Sequence, residues 1–111
     1  MAPYSTFNDV RSIVDTDITD PEITNIITWV DAVIDMRLDV ATLTAPYLEL
    51  VSATYAAYRC MLKDPNARSL GEYSENRADA LKYLKEEVDF LIAVADSGLG
   101  ITVVATRSEM A

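Results

Sequence analysis

The amino-acid sequence predicts an all-α fold: a small bundle of one short N-terminal helix and three longer helices, followed by an extended C-terminal arm. Three observations carry this prediction. Apolar residues recur at three- and four-residue spacing through most of residues 1–97. Thr19-Asp20-Pro21-Glu22 and Thr44-Ala45-Pro46 read as helix starts, each with a capping hydroxyl and a proline in the first turn. Beyond Gly98-Leu99-Gly100 stands the run Ile101-Thr102-Val103-Val104-Ala105-Thr106-Arg107, whose β-branched side chains suit extended backbone and crowd a helix. Residues 1–97 are therefore expected to form the helical body and 98–111 the arm.

Ser5 or Thr6 is positioned to cap a first helix over about residues 6–14, with Phe7, Val10, Ile13 and Val14 on one side. Asp15-Thr16-Asp17-Ile18 reads as a linker. In the second helix, running to about Asp39, Thr19 is the cap and Glu22 completes a capping box. Ile23, Ile26, Ile27, Val30, Val33, Ile34 and Leu38 give it one buried face. Trp29, Ala32 and Met36 form a second apolar stripe, while Asp31, Asp35 and Asp39 read as an exposed acidic ridge. The third helix runs from Thr44 to about Lys63. Leu48, Val51, Tyr55, Tyr58 and Leu62 form a large apolar stripe, and Ala53, Ala56, Ala57 and Cys60 a small one. Small residues let another backbone approach closely, so this helix is expected to be central. Residues 64–73 read as a polar loop. Ser74 is the expected cap of a fourth helix ending near Asp96, with a seam of Leu81, Leu84, Val88, Leu91 and Ala95. Tyr83, Phe90 and Val94 lie beside that seam. Asp79–Lys82, Lys82–Glu86 and Lys85–Asp89 are expected surface pairs.

A strand needs a neighbour for its backbone hydrogen bonds. No second strand-like run is evident, so the partner of residues 101–107 is expected on another molecule or another copy. There Ile101, Val103 and Ala105 share one face, and Thr102, Val104 and Thr106 the other.

The chain carries 18 acidic and 9 basic residues, a net charge of −9. That balance argues against nonspecific binding to DNA or anionic membrane, both of which need Lys/Arg clusters. No apolar run approaches the ~20 residues that span a bilayer, and no signal peptide is evident. The single cysteine, Cys60, forms no internal disulfide.

Candidate chemistry is sparse. With no histidine, the commonest general base and neutral metal ligand are missing. Cys60 has no histidine to activate it and reads as a core residue. No glycine-rich phosphate loop is present. Glu72-x-x-Glu75 and Glu86-x-x-Asp89 superficially resemble the acidic motifs of all-α nucleotide pyrophosphohydrolases, which hold Mg²⁺ from two facing helices. Here Glu72 falls in a loop and the other three acids share one helix, so a solvated face is the simpler reading. No catalytic, cofactor or metal residue is assigned, and no enzyme activity is expected.

The layout resembles the head–tail connector (adaptor) proteins of tailed bacteriophages and related archaeal viruses. The residues that carry the resemblance are Ser5-x-x-x-Asp9-Val10-Arg11, Asp17-Ile18-Thr19-Asp20-x-Glu22-Ile23-x-x-Ile26-Ile27 and Val33-Ile34-x-x-Arg37-Leu38. An Ala/Tyr-rich helix follows (Thr54-Tyr55-Ala56-Ala57-Tyr58), then a long fourth helix. The resemblance implies a virion structural protein, assembled in the host cytoplasm. It implies a homo-oligomeric ring of about twelve copies below the portal, extending the DNA channel and docking the next tail-completion protein. DNA then passes without specific binding, and no membrane is involved. Trp29, Ala32, Met36, Ile101, Val103, Val104, Ala105 and Arg107 are the expected subunit or portal contacts. The rival reading is a free-standing helical interaction module, such as a small regulator or antitoxin-like protein.

Overall fold

The structure is a computed structural model and describes residues 3–69 and 77–96. The described residues are mostly helical. They form α1 (Phe7–Arg11), β1 (Val14–Asp15), α2 (Asp20–Arg37), a short 3₁₀ turn (Val40–Thr42), α3 (Ala45–Lys63), β2 (Arg68–Ser69) and α4 (Arg77–Asp96). The expected arm, including Ile101, Val103, Val104, Ala105 and Arg107, and the expected cap Ser74 lie outside the described residues.

Helix α3 is central: it packs against α1, α2, α4 and β1. Its small residues make this possible, because Ala56, Ala57 and Cys60 are fully buried and bring neighbouring elements close to the α3 backbone. Ile23, Ile27, Val30, Ile34 and Leu38 supply the α2 side of the core, and Leu84, Val88 and Leu91 the α4 side. The expected α3 stripe is graded instead of uniformly buried. Leu48 and Val51 are inside, Tyr55 and Tyr58 half-buried, and Leu62 exposed.

The N-terminal region differs from the sequence expectation. Thr6 caps α1 in a reciprocal capping box with Asp9, but the helix stops at Arg11, whereas the apolar pattern continued to Val14. Val14 and Asp15 instead pair antiparallel with Ser69 and Arg68. This two-residue ladder is extended structure that the sequence did not reveal. Two residues are too few to show strand alternation.

Residues 15–18 are no loose linker. Arg11 donates from Nη1 to the Thr16 carbonyl (3.0 Å) and from Nη2 to the Ile18 carbonyl (2.7 Å). Its Nε and Nη2 both reach Asp20 Oδ1, at 2.9 and 2.7 Å. From the other side, Asp64 Oδ2 accepts the Thr16 hydroxyl (2.6 Å) and the Asp17 amide (3.1 Å). The turn is thereby tied to both the start of α2 and the end of α3.

The start of α2 also departs from expectation. Thr19 holds the cap position and a proline sits in the first turn, but the Thr19 side chain makes no capping hydrogen bond. Glu22 completes no capping box with it. Its carboxylate pairs with Lys63 across the α2–α3 seam at 3.4 Å. Thr44 does cap α3, accepting the Tyr47 amide at 3.3 Å. Tyr47 then joins α3 to α4 by donating to the Leu91 carbonyl at 2.5 Å. Of the expected α4 pairs, Lys85–Asp89 is formed at 3.7 Å.

Candidate functional site

Two faces of α2 carry the features with functional potential, and they face different surroundings. The first faces α1. Asp31 is buried with only 4% of its surface exposed, so the expected acidic ridge is broken at its first member. The carboxylate accepts the Tyr4 amide at Oδ2 (2.9 Å) and the Ser52 hydroxyl at Oδ1 (2.6 Å). Ser52 also lies 2.6 Å from the hydroxyl of Ser5, itself buried. Ser52 has one proton and gives it to Asp31, so Ser5 must donate to Ser52. A directional chain from Ser5 through Ser52 to Asp31 thus joins the N-terminal segment, α3 and α2. Buried polar groups need partners of this kind.

One turn further along α2, exposed Asp35 accepts a hydrogen bond from the Tyr4 hydroxyl. Burial, followed by this bond and the charges of Asp35 and Asp31, pushes the Tyr4 phenol up to about 12 from 10.0. The folded protein therefore holds this proton more tightly than the unfolded chain does. The associated stability is complete below pH 10.0 and is lost as pH climbs toward about 12. Tyr4→Phe is expected to flatten that decline when urea midpoints are measured across the same range. An unchanged slope would assign it to other groups.

The second face lies on the other side of α2. Trp29, Ala32 and Met36 are all exposed, Trp29 to 46% and Met36 to 88%. Trp29 meets the Tyr55 ring edge-on, with centroids 5.9 Å apart and planes at 86°. Above it the Arg59 guanidinium stacks 4.5 Å from the ring centroid. The sequence did not disclose Arg59 as part of this patch. The available signal was the four-residue spacing of Tyr55 and Arg59, which places both on one side of α3.

The positions weighed for catalysis are also placed. Cys60 is fully buried, and its thiol is pushed up to about 11, chiefly by burial. It therefore stays neutral and unreactive near pH 7. Glu86 and Asp89 lie on the exposed side of α4, with Asp89 held by Lys85. Glu72 and Glu75 lie outside the described residues. Asp15, Thr16, Asp17 and Asn66 line a polar cleft beside the β-ladder. Among the described residues no group of three or more His, Cys, Asp or Glu side chains is arranged to hold a metal ion. No described helix is long and apolar enough to cross a membrane.

What the geometry offers is a contact surface: an aromatic residue, a thioether and a cation, held on two packed helices. Comparison of the chain with protein-family models, with curated proteins and with solved structures finds no match.

Proposed function

We propose that this chain is a structural, non-catalytic head–tail connector of a tailed virus. Its copies form a ring below the portal, extend the DNA channel and dock the next tail-completion protein. The observation that carries the reading is the exposed stripe Trp29–Ala32–Met36 on a small helical body. Water around a Trp and a Met is unfavourable, and burying each contributes about 1.5–3 kcal/mol. Tryptophan is also among the residues that most often dominate protein contacts. The layout supports the same reading: a short capped helix, a turn held by Arg11, three long helices and an Ala/Tyr-rich α3. The net charge of −9 suits a channel along which DNA slides without adhering.

The test combines the full chain with the portal protein of the same virus and images the product. A ring seated on the portal is expected. Trp29→Ala should weaken that assembly at least about tenfold, as loss of a contact centre does. Because Trp29 is half-exposed, its unfolding midpoint should move little. Equal losses in assembly and folding would make Trp29 a residue of the body. A chain that ignores the portal and stays monomeric or dimeric would overturn the connector reading in favour of the free-standing module.

A further inference from the structure

Arg59 stands apart in a chain with twice as many acids as bases. Its guanidinium lies 4.5 Å from the Trp29 ring centroid and pairs with no carboxylate among the described residues. The reason lies in its helical neighbours. One turn away on α3 stand Tyr55, Ala56, Leu62 and Lys63, with no acid among them. One turn either side of Trp29 on α2 stand Asn25, Ile26, Ala32 and Val33, all uncharged. Lys63 already pairs with Glu22. The patch is thus locally positive on an acidic protein. Exposed Leu62, three residues beyond Arg59, widens its apolar part, so that apolar side chains flank the cation on both helices.

A guanidinium carries its N–H donors in a planar fork that matches a carboxylate, and the Trp29 ring fixes where that fork stands. The surface therefore complements a segment of opposite charge and similar apolar character. Among the described residues no open aromatic face answers it. Tyr83 and Phe90 on α4, the other exposed rings, already hold interactions within the chain. We propose that the Trp29–Arg59 patch docks an acidic, apolar segment of the portal protein. A carboxylate of that segment meets Arg59, and its apolar side chains cover Trp29, Met36 and Leu62. The inference rests on the connector reading and names the chemistry that the portal presents to this chain.

The test measures binding of the full chain to immobilised portal protein of the same virus at low and high salt. Circular dichroism and urea midpoints confirm that each variant is folded; Arg59 is exposed, so both should match wild type. Arg59→Gln should weaken portal binding several-fold, and Arg59→Glu at least about tenfold, because it sets like charges against each other. Added salt should weaken the wild type and leave Arg59→Gln nearly unchanged, a signature that mere loss of packing on Trp29 would not give. Arg59→Lys keeps the charge and should retain the salt dependence. Arg59→Gln with wild-type affinity and salt dependence would overturn the proposal while leaving the connector reading intact. So would variants that bind the portal normally but fail to join one another, since the patch would then lie between copies. A wild-type chain that does not bind the portal overturns both.

Discussion

Replacing Asp31 with alanine is expected to destabilise the fold by about 3 kcal/mol, among the largest losses available to a polar position here. The side chain is 4% exposed and accepts two hydrogen bonds inside the protein. Alanine removes the acceptor and leaves the Tyr4 amide and the Ser52 hydroxyl without it. A stranded buried donor such as the Ser52 hydroxyl costs about 1–3 kcal/mol, and the part-buried Tyr4 amide adds less. For a domain of this size the loss corresponds to a fall in Tm on the order of 15 °C. Asp31→Asn separates shape from acceptor chemistry. It keeps one oxygen but turns an NH₂ toward a donor, so it should lose roughly half as much. The N-terminal segment should respond first, because Tyr4 and Ser5 are held through this chain. Hydrogen exchange at Tyr4 is the direct measurement. A Tyr4 amide that stays equally protected in Asp31→Ala would show that the segment is held by α1 packing instead.

Ala56→Leu is expected to cost a similar amount, about 3 kcal/mol, at the upper end for overpacking. Ala56 is fully buried on α3, the helix against which α1, α2 and α4 all pack. Leucine is an excellent helix former, so local propensity predicts almost no penalty. The loss therefore reports only on close approach by neighbouring elements. Ala56→Gly provides the opposite comparison: it creates no clash and should cost about 1 kcal/mol through backbone freedom. Urea midpoints of the two variants order the effects. If leucine proves no worse than wild type, the small-residue stripe leaves free volume and α3 is not closely packed there.

The helices were legible because their signals are local. Apolar spacing at three and four residues marked the buried sides of α2, α3 and α4, and Thr44-Ala45-Pro46 marked the start of α3 within a residue. The burial of Cys60 and the small stripe around it followed from the same periodicity. What failed was whatever depended on a distant partner. Val14 fitted a helical pattern, yet it pairs with Ser69 in a ladder too short to show alternation. Asp31 had the spacing of a surface residue, but its partners Tyr4 and Ser52 stand 27 and 21 positions away. Thr19 and Glu22 had capping-box spacing, while Glu22 turned to Lys63 on another helix.

The candidate surface divides along the same line. The sequence alone singled out Trp29, Ala32 and Met36 as a stripe beside the main apolar face of α2, since their angular position depends only on helix geometry. Whether that stripe faced water or protein was not a local property. It was decided by where α3 lies, which put Tyr55 and Arg59 against one side of the Trp29 ring and left Met36 exposed. Periodicity places a side chain around its own helix axis; only the packing of the helices determines what stands opposite it.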